Sequence, residues 1–308
     1  MLADSQSDRS RIAGWIAVVI SVVILCFWAF WGSVENFYEG WYFRSIWQNL
    51  GLMLIQYASP MLILMIPSVA AVKWPELSLL FFVPLAILAW IVFHFRLVAG
   101  SVVIIVIVPL LLFMGVLYRV GRPEPRRWAY RALVGLPLTT FVVCGAVPGW
   151  RAVGRIDDGN YGARRIVGNG VTLTWAPEGP GWPETSATWF EARTRCRNLS
   201  ADGKLLMGAA QDIWRLPTVE EAVRSMVHRG ENAGGEWDPL THSAKYRTWP
   251  DKDSPLWKAH SQIIYWWTAT EADAGRSYYV VYNGQVNVAS KNANEGNLAY
   301  RCVSEGSH

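Results

Sequence analysis

The first half of this 308-residue chain holds five long stretches with no Asp, Glu, Lys or Arg at all. Transport and proton relay through a bilayer normally use ionisable groups inside the spans. Here the polar exceptions are Gln56, with His94 and Arg96 at a turn. Their near absence favours anchoring, or helix packing with an oligomeric or membrane partner, over transport. The second half lacks a basic stripe: residues 151–308 carry 18 Lys/Arg against 18 Asp/Glu. That balance removes the electrostatic footprint of a nucleic-acid surface. Kinase, nucleotide and effector motifs are missing too. Cysteine is scarce, with four in the chain. Cys26 and Cys144 lie in apolar runs and read as small buried hydrophobes. Cys196 and Cys302 stand near the start and the end of the polar half, where an oxidising compartment permits a disulfide.

A spanning helix needs about 20 mostly apolar residues. The stretches 12–32, 50–72, 77–95, 97–118 and 132–150 meet or approach that length, which predicts an α-helical transmembrane bundle of about five spans over residues 1–150. The first lacks small residues at a cleavage site and reads as an uncleaved anchor. Orientation follows the positive-inside bias. Arg9 and Arg11, Lys73, and the cluster Arg119, Arg122, Arg126, Arg127 and Arg131 all fall on one side if there are five spans. That side is expected to be cytoplasmic, with the chain after Trp150 on the far side of the membrane. Trp28, Trp31, Trp41, Trp47, Trp74, Trp128 and Trp150 cluster at span ends, as an interfacial belt does.

Residues 151–167 read as a linker, and 168–308 as an extracytoplasmic α+β domain. Val171, Leu173 and Trp175 alternate with polar residues, the pattern of a half-buried strand. Thr188 with Glu191, and Thr218 with Glu221, each spell a capping box opening a helix, the first over 185–199 and the second running through Val227. Residues 229–262 show no periodicity and read as a surface excursion. The end is β-rich: 263–270, 278–282, 285–290 and 298–303. A two-residue Asn283-Gly284 turn pairs Tyr282 with Gln285, Val281 with Val286, Val280 with Asn287 and Tyr279 with Val288. Tyr279, Val281, Val286 and Val288 then face the core. Val280, Tyr282, Gln285 and Asn287 form a polar-aromatic outer face, suited to ligand contact or simply solvated.

The strand ending in Leu173-Thr174-Trp175, the helix with Trp189, Glu191, Ala192 and Cys196, Trp214-Arg215-Leu216-Pro217-Thr218, the run Tyr265–Thr270 with Trp266, and Tyr300-Arg301-Cys302-Val303 together resemble the DUF1566 family. This family is also called the Lcl C-terminal domain family. The resemblance covers about residues 168–305 and none of the membrane half. It implies a C-type-lectin-like fold related to the formylglycine-generating enzyme, in a bacterial envelope protein. It also implies a Cys196–Cys302 disulfide and structural roles for Trp189, Trp214, Arg215, Pro217, Trp266 and Arg301. The multi-span anchor and the 229–262 excursion depart from the family pattern.

The function expected from these features is non-enzymatic: a membrane-anchored module recognising an envelope or extracellular glycan or protein. The candidate contacts are Tyr282, Gln285, Asn287, Asn292, Asn294 and Asn297, an Asn-rich set that also fits a retroelement-diversified receptor. The alternative is a formylglycine-generating or iron-dependent enzyme, which needs a reactive cysteine pair or a histidine–carboxylate site. His228, His242 and His260 lack ligand spacing, and no catalytic residue or cofactor is assigned. Asp251, Asp253, Glu236 and Asp238 offer oxygens for Ca²⁺, but in no established loop spacing.

Overall fold

The computed structural model describes residues 2–94, 100–294 and 296–305. The chain divides into two compact units, Met1–Trp41 with Ser45–Trp150, and Tyr42–Arg44 with Arg151–His308.

The first unit is helical. Helix α1 (Leu2–Tyr38) is followed by α2 (Ile46–Leu52), a π turn over Met53–Tyr57, α3 (Ser59–Lys73), α4 (Ser78–His94) and α5 (Gly100–Val120). After these come α6 (Arg126–Tyr130), a second π turn over Arg131–Gly135, and α7 (Leu136–Val153). Among the described residues three helical segments are long and apolar enough to cross a membrane: Asp8–Tyr38, Pro75–Val92 and Arg126–Val153. The pair Ile46–Tyr57 and Ser59–Lys73 is bent by 64° and adds a fourth if it forms one span; Ile105–Val120 is a shorter apolar helix. The expected turn between the third and fourth stretches, with Arg96, lies outside the described residues. Arg126, Arg127 and Arg131, expected in a loop, instead sit on helix, because α6 and the π turn extend the last span toward its N-terminus.

Apolar side chains such as Leu25, Met65, Phe82 and Met114 form the core of this unit, and small residues and hydroxyls make its closest helix contacts. A Cβ on Gly32 would lie 2.2 Å from the Tyr57 carbonyl oxygen, so only glycine lets α1 touch the π turn. The hydroxyls of Ser21 and Tyr118 are 2.8 Å apart, and Ser68 Oγ donates to Leu64 O while lying 3.5 Å from Ser21 Oγ. Tyr118 also stacks on Phe82 at 5.7 Å, and Ser78 Oγ donates to Gly115 O, joining α4 to α5.

The second unit is β-rich. Strands β1 (Arg164–Gly168) and β2 (Val171–Trp175) form a hairpin, and β11 (Val303–Ser304) pairs antiparallel with β2. The turn residues Asn169 and Gly170 both have positive φ, 50° and 80°, as a two-residue primed turn requires. The expected linker over 151–167 is therefore corrected. Helix α7 runs to Val153 and β1 starts at Arg164, because Asn169-Gly170 folds that segment back on β2. Helices α8 (Trp189–Arg197) and α9 (Val219–Ser225) both carry complete capping boxes.

A four-stranded sheet runs β10-β7-β8-β9, from β7 (Tyr265–Glu271), β8 (Arg276–Val281), β9 (Val286–Ser290) and β10 (Leu298–Ala299), with β10 parallel to β7. The expected closing strand 298–303 is thus split between two sheets. The excursion is also corrected. Residues 227–245 form two small hairpins, β3 (Val227–His228) with β4 (Glu231–Asn232) and β5 (Glu236–Asp238) with β6 (Ser243–Lys245). Leu256, Trp257 and Ala259 are core. They bury because the segment packs its aromatic and aliphatic groups inward without any regular period for a sequence pattern to detect.

Cys196 and Cys302 are disulfide-bonded across a sequence separation of 106. The Trp214–Thr218 block gathers three elements. Trp214 Nε1 donates to Ser200 O, and Arg215 exchanges backbone hydrogen bonds with Val303 at 2.9 and 2.8 Å. The Arg215 guanidinium grips Glu221 at 2.6 and 2.7 Å and Glu305 at 2.5 Å, while Pro217 O accepts from Ala269 N–H. Glu221 also caps Thr218 N–H. Trp189 Nε1 donates to Thr268 O and Trp267 Nε1 to Ala187 O, pinning α8 to the sheet.

Replacing Thr188 or Thr218 by Ala should destabilise the unit by about 1 kcal/mol, read by thermal or chemical unfolding of the full chain. The Thr188 N–H and hydroxyl hold the Glu191 carboxyl below its usual 4.5. Its contribution is therefore present above that pH and is lost as pH falls through the depressed folded value. The stability gap between wild type and Glu191→Gln should accordingly close as the medium is acidified below about 4.5.

Candidate functional site

The polar-aromatic surface lies on the β7-β8-β9 sheet, and its register sets which side chains share a face. Val280 pairs with Val286, Tyr279 with Asn287 and Tyr278 with Val288, one residue out of step with the expected register. The reason lies in the turn. Gly284 has φ +84° and donates to Val281 O at 2.8 Å, while Asn283 keeps negative φ. This makes a three-residue loop, Tyr282 to Gly284, with a bulged glycine in place of the two-residue primed turn. Tertiary contacts hold it: Tyr282 N–H donates to Ile264 O, and the Tyr246 hydroxyl donates to Gly284 O at 2.9 Å.

A one-residue slip changes which faces of the two strands come together. Asn287 lies opposite Tyr279, and the Tyr279 ring stands 5.4 Å from Tyr265. Val280, expected outside, is fully buried. Tyr282, expected as a contact, is only 3% exposed and belongs to the core. Gln285, Asn287, Asn292 and Asn294 are exposed. Asn297 is half-buried, and its carbonyl accepts from Ile264 and Tyr265 N–H, so its backbone is tied to the start of β7. Tyr265, Tyr279 and Asn287 share this face with the buried Trp267 and Val281, Gln285 stands at the loop exit, and Tyr265 and Tyr279 are half-buried against the core of the cystine and Trp189.

A second aromatic surface went unread in the sequence. On β5–β6, Trp237 meets Tyr278 edge-on at 5.6 Å, and His242 Nδ1 lies 2.5 Å from the Tyr278 hydroxyl. Leu240, at the hairpin tip, is 89% exposed, and Trp249, near the ring of Tyr246, is 58% exposed. The only sequence signal was the density of Trp and His in an aperiodic stretch.

No protein-family model, curated protein or solved structure matches the chain.

Three of the four acidic residues considered for Ca²⁺ have other partners, and Glu236 is exposed on β5. Asp251 pairs with Arg155 at 3.3 Å. Asp253 accepts from Arg229 and Ile156 N–H at 2.9 and 3.4 Å, and Asp238 accepts from Leu240 N–H and the Thr241 hydroxyl. Among the described residues no three His, Cys, Asp or Glu side chains gather as a metal group. The three histidines stand apart: His228 near Asp253 at 4.0 Å, His242 on Tyr278, and His260 near Asp157 at 3.7 Å. Burial, with Asp251 beside it, pushes the Asp253 carboxyl above the usual carboxylate range.

The observed register separates two substitutions that the sequence pattern alone would treat alike. Tyr282→Ala should destabilise by about 3 kcal/mol or more, as for a large buried aromatic. Asn287→Ala should stay within about 0.5 kcal/mol, as for an exposed site. Thermal unfolding of both variants checks this.

Proposed function

We propose that this chain is a multi-pass protein of a bacterial cytoplasmic membrane that displays a C-type-lectin-like domain beyond the membrane to bind an envelope or extracellular glycan or protein. The observation that carries the proposal is the joining of apolar helices and the Cys196–Cys302 cystine in one chain. Structural disulfides persist in oxidising compartments, which argues for the β-rich unit lying outside the cytoplasm. The apolar helices supply the anchor. Five crossings, counting α5 and the bent α2–α3 pair as spans, reconcile this with the Arg-rich 119–131 segment on the cytoplasmic side.

The cystine occupies both cysteines of the β-rich unit, and this supports binding over cysteine-based chemistry. The contact surface in this reading is Tyr265, Tyr279, Gln285 and Asn287. Tyrosines give rigid contact area and amides give adaptable hydrogen bonds. The exposed Asn292 and Asn294 extend it.

A C-terminal alkaline phosphatase fusion should be active and a C-terminal green fluorescent fusion dark; the reverse pattern removes the display reading. Full chain in nanodiscs should retain a glycan or envelope protein on arrays and pull-downs. Tyr279→Ala and Asn287→Ala together should lower that retention by about tenfold or more, the loss of 1.4 kcal/mol or above. Retention untouched by both changes would move the surface elsewhere.

A further inference from the structure

One region of the β-rich interior collects hydrogen-bond donors without acceptors. Across β1, β2 and β11 the register sets Arg164, Trp175 and Val303 opposite one another, so they share one face. From that face Trp175 meets Trp266 at 5.7 Å, and Trp266 stacks on Trp257 at 3.7 Å. Arg301 reaches the same place from the closing segment. Its Nε donates to Ala176 O at 2.8 Å, and its Nη1 donates to Pro255 O at 2.6 Å and Leu256 O at 3.4 Å. Ala176 and Leu256 are the chain neighbours of Trp175 and Trp257. Trp182 covers the guanidinium at 3.6 Å.

Five buried N–H groups here have no hydrogen-bond partner: the indoles of Trp175, Trp257 and Trp266, Arg164 Nε and Arg301 Nη2. They account for half of the ten such atoms among the described residues, so the deficit is concentrated. The charge is equally one-sided. Arg301 is completely buried, and among the described residues it has no carboxylate partner. Burial and then the nearby Arg164 charge, both unfavourable to a cation, push its guanidinium well below the usual arginine range. Arg164 is held by Asp158 through Nη2 at 2.5 Å, which leaves Nε uncommitted. A buried cation without a counter-charge is strongly unfavourable. Water would satisfy N–H groups, but it brings donors of its own and no negative charge. An acceptor-only anion supplies the two things this cluster lacks, a hydrogen-bond acceptor and a negative charge.

We propose that this interior is a binding site for one small inorganic anion of halide size, held between Arg164 and Arg301 and bordered by the Trp175–Trp266–Trp257 stack. The stacking at 3.7 Å and the guanidinium packing at 3.6 Å favour a monatomic ion over a bulkier oxyanion.

The test uses full chain in detergent, with chloride or bromide replacing gluconate at fixed ionic strength and unfolding followed by tryptophan fluorescence. The wild-type midpoint should rise saturably with either halide. Asp158→Asn, which removes the competing carboxylate and keeps every donor, should retain that response. Arg164→Gln, at a partly exposed position, should weaken the apparent halide affinity by about tenfold, as expected for losing a charge-assisted donor. Crystals grown in bromide should give an anomalous peak between Arg164 and Arg301, a readout that does not depend on any variant folding. A wild-type midpoint indifferent to halide, an equal response in Arg164→Gln, or stabilisation by acetate or phosphate but not halide overturns the proposal. So does an anomalous map without that peak, since the donors are then held by water.

Discussion

The β-rich unit closes its end onto its beginning, and most of its order depends on that closure. Cys302 is bonded to Cys196 on α8, donates its N–H to Gly181 O, and accepts from Ala176 N–H; Val303 then pairs with both Trp175 and Arg215. Linking residues 106 apart removes about 4–5 kcal/mol of unfolded-chain entropy in the loop-closure account. The closure also fixes the positions of two arginines with opposite solutions to burial. Arg215 is neutralised by Glu221 and Glu305, whereas Arg301 is met by carbonyls and an indole face.

The two units are held together internally by different physics. In the helical unit Leu, Met and Phe side chains fill the interior, with close approaches at glycine and hydroxyl contacts among Ser21, Ser68 and Tyr118 joining the helices. In the β-rich unit large aromatics fill the centre: Trp175, Trp189, Trp257 and Trp267 are among the largest fully buried side chains. Indoles that find a carbonyl, as Trp189, Trp214 and Trp267 do, lock helix and loop positions.

Legibility in the sequence followed how local the cause was. Both capping boxes were readable because a Thr and a Glu three residues apart settle the matter within one turn of chain. The Asn-Gly dipeptides show where local reasoning stops. Asn169-Gly170 makes the two-residue turn, whereas Asn283-Gly284, expected to make it, lies in a three-residue loop. The difference is made by Tyr246 and Ile264, distant partners that hold Gly284 and Tyr282. With that one-residue shift Tyr282 lies in the core and Tyr279, half-buried, stands opposite Asn287. The 251–262 core segment was unreadable for a related reason: it buries Leu256 and Trp257 through irregular backbone, where no period exists to be found.

Strand β9 is the last in its sheet's order and is five residues long, bounded on one side by the bulged Gly284 loop. A rim that short offers a neighbouring strand only two or three ladder hydrogen bonds before the backbone turns away. Two copies meeting along this rim would therefore touch side to side without zipping into a continuous ribbon.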